Sequence, residues 1–161
     1  MIQERLGSTG SVANRKFAII TSQYNRDITQ KLFQGAVQTL RANQVPDENL
    51  LAVWVPGAWE IPLAAQHVLK YQNPDAVICL GCVIRGETTH DQHINTTVSH
   101  SLGQLGLEFD VPVGFGLLTC NTWDQAEQRA GGKVGNKGIE SAEAVLQMLR
   151  LFDSIGHGDA T

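Results

Sequence analysis

The sequence has few aromatic residues and fewer basic than acidic ones, and both features limit the functions that the protein can have. Its 161 residues include ten aromatic side chains: three Trp, two Tyr and five Phe. Because small-molecule pockets are lined mainly by apolar and aromatic groups, we expect a sizeable pocket to need walls from a second subunit. Twelve basic against sixteen acidic side chains give a net charge of −4. This balance argues against nucleic acid or an anionic membrane as the main partner.

Signals for export and for membrane insertion are also missing. Residues 1–16 are polar and lack the apolar stretch of a secretory signal. The longest apolar runs are strand-sized, far below the ~20 residues of a membrane span. We therefore predict a cytoplasmic protein, folded as one domain over residues 1–161, with an N-terminal arm (1–15) and a C-terminal tail (153–161).

Only three cysteines are present, an odd number that does not suggest a disulfide framework. Cys79 and Cys82 form a C-x-x-C pair, but they lie in an apolar, strand-like run rather than at the start of a helix. An odd separation within a strand sends the two side chains to opposite faces of the sheet. A zinc knuckle also needs two further ligands at turn spacing. We therefore predict structural cysteines and no metal.

Strand-like runs and helical stripes alternate four times along the chain. Apolar runs typical of strands occupy residues 16–23, 50–55, 76–84 and 113–119. Stripes at helical spacing follow them, at residues 28–40, 61–69, 94–109 and 139–149. A capping box at Thr122 indicates one more short helix, and residues 131–138 are predicted to be a loop. The pattern predicts a three-layer α-β-α sandwich around a mainly parallel four-stranded sheet, flavodoxin-like, and leaves room for an added N-terminal strand.

Ligands of such folds gather where the parallel strands end. The strongest candidate segment follows the third strand and reads Gly-Cys-Val-Ile-Arg-Gly-Glu-Thr-Thr-His-Asp-Gln-His (81–93). Thr88 and Thr89 stand at the start of a helix, where unpaired N–H groups and the positive dipole end favour an anion. Gly86 allows a close approach of that anion. The alternative is that one of the threonines is simply an N-cap.

His90 lies in the first turn of the same helix. The dipole there disfavours imidazolium, so a neutral His90 is available as a base near pH 7. The alternative is a histidine that is merely exposed on a surface turn. His93 follows three residues later, but no third ligand stands at a spacing that suits a metal.

The first two strands end in groups that suit a planar, polyhydroxylated ligand. Glu60 lies in Val-Pro-Gly-Ala-Trp-Glu-Ile-Pro (55–62) and either accepts hydrogen bonds from a polyol or complements a helix dipole. Tyr24 and Asn25 follow the first strand. They either stack on and hydrogen-bond a planar ring, or serve as a core lid and a helix cap.

A Gly-rich segment further along is basic in an otherwise acidic chain. Arg129, Lys133 and Lys137 lie in Arg-Ala-Gly-Gly-Lys-Val-Gly-Asn-Lys-Gly (129–138), a composition that suits phosphate. The P-loop pattern G-x-x-x-x-G-K-[ST] is not present. A solvated loop without a ligand is the alternative.

Together these segments resemble the lumazine synthase family in order and spacing over residues 16–151. The matching stretches also include Val-Pro-Val-Gly-Phe-Gly-Leu-Leu-Thr (111–119) and a longer form of the basic segment (125–138). The resemblance implies an enzyme of riboflavin biosynthesis. It would condense 5-amino-6-(D-ribitylamino)uracil with 3,4-dihydroxy-2-butanone 4-phosphate, giving 6,7-dimethyl-8-ribityllumazine, phosphate and water. The resemblance implies no metal and no organic cofactor.

The resemblance also implies the role of each candidate residue. His90 would transfer protons, and Arg129 would clamp the phosphate together with Gly86, Glu87 and Thr88. The residues implied for the ribitylaminouracil are Tyr24, Asn25, Ala58, Trp59, Glu60, the backbone of Cys82, Val83 and Ile84, Phe115 and Lys137. In the family, Phe115, Arg129 and Lys137 come from the neighbouring subunit. The resemblance therefore implies a homopentamer with shared sites, and some relatives build 60-subunit capsids.

The sequence departs from the family pattern just after the histidine. The family commonly has an aromatic residue, an acid and an aromatic residue there, where this chain has Asp91, Gln92 and His93. Gln92 cannot tune His90 by charge, and Asp91, as the next residue on a helix, points about 100° away. Two other functions of the same fold stay open: a non-catalytic riboflavin- or lumazine-binding module, and a shell-forming protein.

Overall fold

The computed structural model describes residues 1–156. Its four main strands are β1 (Phe17–Ser22), β2 (Leu50–Val55), β3 (Ala76–Ile84) and β4 (Val113–Cys120). Its helices are α1 (Arg26–Ala42), α2 (Ile61–Gln72), α3 (His90–Phe109), α4 (Trp123–Gln128) and α5 (Lys137–Ile155). A small hairpin of β5 (Ala130–Gly132) and β6 (Gly135–Asn136) joins α4 to α5. Short 3₁₀ turns, Asp47–Asn49 and Ala58–Glu60, precede β2 and α2.

The four main strands form one parallel sheet in the order β2-β1-β3-β4. In the centre of this sheet, Ile19 of β1 lies between Ala52 of β2 and Ile78 of β3. The first seven residues of β3 are fully buried, as expected for a parallel strand that is covered on both faces. The prediction of a mainly parallel four-stranded sheet is therefore confirmed.

Helices cover both faces of the sheet and give two separate apolar cores. Alternate residues of β1 point to opposite faces: Phe17 and Ile19 face the core under α1 and α5, whereas Ala18 and Ile20 face the core under α2 and α3. This confirms the three-layer sandwich. No helix within the described residues is both long enough and apolar enough to cross a membrane.

Helix ends follow the local signals in the sequence. After α2, Asn73 adopts the left-handed conformation (φ 51°) immediately before Pro74, and after α3, Asp110 does the same (φ 53°) two residues before Pro112. A left-handed residue and a nearby proline both stop helix propagation. At α4, the Thr122 hydroxyl accepts a hydrogen bond from the Gln125 N–H at 3.2 Å, which is the predicted cap.

Helix α5 packs on α1 at very short range. A Cβ atom added at Gly138, in the first turn of α5, would lie 2.0 Å from the carbonyl oxygen of Leu32. Asn136 caps the same turn, because its Oδ1 accepts the N–H groups of Gly138 at 2.8 Å and Ile139 at 3.3 Å. The basic segment is therefore anchored at its C-terminal end by close backbone packing.

Two boundaries differ from the sequence-based expectation. Residues 131–138 do not form a loop throughout, because Gly131 and Gly135 adopt positive φ (114° and 102°) and let the chain fold into the β5–β6 hairpin. Helix α5 continues to Ile155, two residues past the expected start of the tail, and residues 157–161 lie outside the described part.

The N-terminal arm carries no strand in the described structure and packs on the chain's own body. Val12 is buried, and a Cβ atom added at Gly7 would lie 1.8 Å from the carbonyl oxygen of Gln147 in α5. Arg15 forms ion pairs with Asp75 and Asp153 at 3.0 and 2.5 Å. These contacts hold the arm against the C-terminal end of α5.

All three cysteines are buried free thiols, as predicted. Cys79 lies in the core under α2 and α3, and Cys82 lies in the core under α1 and α5, so their side chains point to opposite faces. Burial raises the pKa of both thiols to about 12 and also raises the pKa of Cys120.

We therefore expect the thiols of the folded protein to be inert towards alkylating or disulfide reagents at pH 8. At that pH a thiol with a pKa of about 12 is ionised in only about one molecule in 10⁴, and the thiolate is the reactive species. A thiol titration with Ellman's reagent should release colour slowly from native protein and quickly, with three equivalents, after unfolding in guanidinium. Rapid reaction of native Cys79 or Cys82 would contradict this expectation.

Candidate active site

A cavity of about 440 Å³ opens at the carboxyl ends of β1 and β3. This is where the strand order reverses, since β1 is followed by β2 on one side and lies beside β3 on the other. Ligands of open parallel sheets bind at such a switch point. The lining residues are Tyr24, Gly57, Ala58, Trp59, Cys82, Val83, Ile84, Gly86, Thr88, His90, Asp91 and Ile94.

Two aromatic side chains stand at the rim of this cavity. Tyr24 is 72% exposed and Trp59 is 55% exposed, so neither ring is part of the core. Tyr24 is therefore not a core lid, which was one of its two predicted roles. Ala58, between Gly57 and Trp59 on the 3₁₀ turn, is 8% exposed and forms part of the cavity wall. Exposed rings beside a cavity offer stacking surfaces for a planar ligand.

Asn25 links the two strands whose carboxyl ends border the cavity. It occupies the N-cap position of α1 in the left-handed conformation (φ 57°, ψ 46°), yet its side chain does not bond to that helix. Instead, the Asn25 amide Nδ2 donates a hydrogen bond to the carbonyl oxygen of Cys82 at 2.9 Å. The bond joins the end of β1 to the end of β3, so Asn25 is neither a simple helix cap nor one of the cavity-lining residues.

Glu60 is also engaged within the chain. Its Oε2 accepts a hydrogen bond from the Gly57 N–H at 2.9 Å, and the Glu60 N–H donates to the Gly57 carbonyl oxygen at 3.3 Å, so the two residues are bonded reciprocally across the 3₁₀ turn. The structure therefore shows the local, helix-related role that the sequence allowed. Glu60 does not line the cavity but a neighbouring cleft between β2 and α2, with Leu63 and His67.

The segment before α3 offers backbone donors to the cavity. The N–H groups of Gly86, Glu87 and Thr88 donate to no acceptor within residues 1–156, and all three residues are exposed. Thr89 holds the N-cap position without a side-chain cap bond, while the Thr88 hydroxyl accepts a long hydrogen bond (3.4 Å) from the His90 N–H. An added Cβ at Gly86 would meet no atom within 4 Å, so packing inside the chain does not require glycine there.

His90 begins α3 and lines the cavity directly beside these donors. His93 is exposed and does not line the cavity, and no group of three or more metal-ligating side chains occurs in the described part of the chain. Gln92 is exposed as well, whereas Asp91 lines the cavity. The arrangement places an imidazole next to a helix start with unpaired N–H groups, which is chemically suited to proton transfer beside a bound anion.

Besides Asn25, Glu60 and Glu87, three more predicted residues do not line the cavity of their own chain. Phe115 is 45% exposed on the edge strand β4 and lines a separate cleft between α3 and α5. The Arg129 guanidinium donates to the carbonyl oxygen of Gln125 at 3.0 Å, and Lys137 pairs with Glu140. The Lys137 N–H also donates to the Arg129 carbonyl oxygen at 2.9 Å, so the hairpin holds these two basic residues together.

Three cavity residues were not among the predicted site residues: Gly57, Asp91 and Ile94. Gly57 and Asp91 lie directly beside predicted residues in the sequence, and Ile94 is one helical turn after His90. Because Ile94 stands four residues after His90 on a predicted helix, the sequence could have predicted that the two side chains share a face and that Ile94 also borders the site.

Comparison with known proteins identifies the family of the chain. A family model described as 6,7-dimethyl-8-ribityllumazine synthase matches residues 14–153. A protein named 6,7-dimethyl-8-ribityllumazine synthase from Rhodopirellula baltica is 48% identical over 145 residues, which are 90% of this chain and 94% of that protein. One of the same name from Coxiella burnetii is 46% identical over 140 residues, 87% of this chain and 93% of that protein. The chain therefore belongs to the 6,7-dimethyl-8-ribityllumazine synthase family.

Proposed function

We propose that the chain is a transferase that makes 6,7-dimethyl-8-ribityllumazine from 5-amino-6-(D-ribitylamino)uracil and 3,4-dihydroxy-2-butanone 4-phosphate. The observation that carries the proposal is the cavity at the sheet's switch point, where His90 lies beside three unpaired backbone N–H groups. Membership of the family and the aromatic rim formed by Tyr24 and Trp59 support it.

The two substrates would occupy separate parts of the cavity. The pyrimidine ring would stack on Tyr24 and hydrogen-bond the backbone of residues 82–84, with the ribityl chain beside Ala58 and Trp59. Glu60 lines the neighbouring cleft rather than this cavity, so it would have to give up its bond to the Gly57 N–H and turn to accept ribityl hydroxyls. The phosphate would accept hydrogen bonds from the N–H groups of residues 86–88, at the positive end of α3.

His90 is placed to move the protons that this reaction requires. The 5-amino group attacks the ketone carbon, and loss of water gives an imine. Loss of the C3 proton and cleavage of the C4–O bond then release phosphate and leave an enol, whose tautomerisation turns C3 into a carbonyl carbon and C4 into a methyl group. The second nitrogen adds to this new carbonyl carbon, and loss of another water closes the ring. Each loss needs a proton delivered to oxygen and one removed from nitrogen or carbon. Because both substrates are reactive, much of the acceleration would come from holding them together.

We further propose a homopentamer with an active site at each subunit interface, and a 60-subunit capsid as its higher assembly. Phe115, Arg129 and Lys137 do not line their own chain's cavity, and Phe115 is exposed on an unpaired sheet edge. A neighbouring copy would bring them to the cavity mouth and supply a cation for the phosphate. The cytoplasm is the compartment that we propose, since all three thiols are free.

The activity is tested by mixing purified protein with both substrates and following lumazine fluorescence. We expect product formation that depends on both substrates and on protein concentration. Arg129→Ala should raise KM for the butanone phosphate about 10- to 100-fold, because a charge-assisted contact to phosphate is lost. Binding of the lumazine without its formation would instead indicate a binding module, and an unchanged KM in Arg129→Ala would argue against the clamp.

Sharing of the site is tested by complementation between His90→Ala and Arg129→Ala, assayed at a butanone phosphate concentration far below the KM of Arg129→Ala, where each variant alone has little activity. In oligomers assembled by coexpressing His90→Ala and Arg129→Ala chains, about a quarter of the interfaces should combine an intact His90 with an intact Arg129. We therefore expect coexpressed variants to recover activity that the separately expressed variants lack. Light scattering of the wild type gives the subunit number. Failure to recover activity in oligomers shown to be mixed would argue for a site within one chain.

A further inference from the structure

One carboxylate in the cavity has no structural partner. Asp91 lines the cavity one residue after His90, and its Oδ1 is buried without a hydrogen-bond donor from any of residues 1–156. Asn95, one helical turn later, also has a buried side-chain oxygen without a donor within residues 1–156. Buried oxygens of this kind are usually paired, and those that are not need an explanation.

Asp91 lies on the inward face of α3, where most of the other residues are apolar. The inward face of α3 continues through Val98, Leu102 and Leu105, all buried in the core under α2 and α3. Counting back in helical steps from Val98 gives Asn95 and Asp91, where the same face reaches the cavity. Near the cavity this face therefore carries two polar residues beside the apolar Ile94, which packs on the same core and also lines the cavity. Departures from the local pattern of this kind concentrate at functional sites.

Within the chain, neither His90 nor the phosphate site accounts for this carboxylate. Successive helical residues point about 100° apart, so Asp91 is not aligned behind the His90 ring. A phosphate held by the N–H groups of residues 86–88 would be repelled by a carboxylate lining the same cavity. Because Oδ1 is closed off from solvent, the second oxygen, Oδ2, which is neither buried nor bonded within residues 1–156, is the one that a ligand in the cavity would reach, and a carboxylate oxygen binds an N–H or O–H donor well.

We propose that Asp91 accepts a hydrogen bond from an N–H or O–H group of the ribitylaminouracil and so helps to select that substrate. The inference rests on the function proposed above. Of the two substrates, the ribitylaminouracil is the one that offers amine, ring N–H and several hydroxyl donors without a phosphate charge. Asp91 is thus a substrate-contacting residue in addition to those that the family pattern implies.

The test uses Asp91→Asn, which keeps the shape of the side chain and removes its charge. Isothermal titration with the ribitylaminouracil alone, under anaerobic conditions, measures binding without turnover. We expect Kd and KM for this substrate to rise about 10-fold or more, the loss typical of a hydrogen bond to a charged group. KM for the butanone phosphate should stay the same or fall, since a nearby negative charge is removed. Collapse of the site would instead raise both KM values.

Two further variants separate this role from a purely structural one. Asp91→Glu keeps a negative charge in the first turn of α3, so an interaction with the helix dipole is preserved while the carboxylate is displaced. We expect it to keep the melting temperature and to weaken binding of the ribitylaminouracil. Glu108→Gln removes an exposed carboxylate elsewhere on α3 and should leave both binding constants within about twofold.

The outcomes separate the two proposals. If the wild type forms lumazine but Asp91→Asn and Asp91→Glu bind the ribitylaminouracil as the wild type does, the role of Asp91 is refuted and the activity stands. If the wild type forms no lumazine from the two substrates, the proposed function fails first, and the role of Asp91 fails with it.

Discussion

Replacing His90 with alanine is expected to lower kcat by about 10²- to 10⁴-fold, the range in which a positioned acid–base group contributes. His90 is the imidazole that lines the cavity, and it stands beside the unpaired N–H groups of residues 86–88. The side chain is exposed, so its removal opens no core cavity and the fold should be unchanged. Steady-state kinetics with both substrates and a thermal melt measure the two effects.

The matched control for this substitution is His93→Ala. His93 lies on the same helix and is exposed, but it does not line the cavity. We expect its kcat to remain within about twofold of the wild type, as is usual for surface changes away from a site. A near-wild-type kcat in His90→Ala would rule out proton transfer by this residue and would leave positioning as the main source of catalysis.

The largest effect on stability is expected from Gly138→Ala. The new Cβ would lie 2.0 Å from the Leu32 carbonyl oxygen and 2.7 Å from its carbon, so α1 and α5 must move apart. Overpacking a dense interior costs about 1–3 kcal/mol, and more where backbone atoms are the obstacle, so we expect a loss of at least ~3 kcal/mol. For a chain of this size that corresponds to a melting temperature lower by about 6–12 °C.

Glu143→Ala on the same helix provides the comparison for Gly138→Ala. Glu143 is exposed, so the free energy of unfolding of the Glu143→Ala protein should differ from that of the wild type by less than about 0.5 kcal/mol. Denaturant unfolding monitored by circular dichroism measures both variants. If Gly138→Ala unfolds at the wild-type midpoint, the contact between α1 and α5 is looser than the structure shows.

The sheet and its covering helices could be predicted because their signals are local. The bounds of β2 and β3 agree with the apolar runs at residues 50–55 and 76–84, and Cys79 and Cys82 do point to opposite faces. The hairpin of β5 and β6 was missed since its three- and two-residue strands carry no periodic pattern. Its formation depends on glycines at positive φ, which a sequence rich in glycine does not distinguish from a loop.

For the site, the sequence predicted which segments meet but not how they are bonded. Residues after β1 and β3 meet because the carboxyl ends of parallel strands share one edge of the sheet. The bond from Asn25 to the Cys82 carbonyl oxygen links groups 57 residues apart, and it depends on strand order and a left-handed backbone that no local pattern reports. The buried oxygen of Asp91 likewise becomes visible only once the cavity exists.

The bond between Asn25 and Cys82 has a consequence for the thermodynamics of ligand binding. The Tyr24 side chain is exposed, but hydrogen bonds fix its backbone on both sides. Its N–H donates to the Pro56 carbonyl oxygen at 3.1 Å, and the side chain of the next residue, Asn25, is bonded to β3. The distance between the Tyr24 backbone and the end of β3 is thus fixed before a planar ligand binds. Little loop entropy is left to be lost on association, so stacking should translate into affinity with a small entropic penalty.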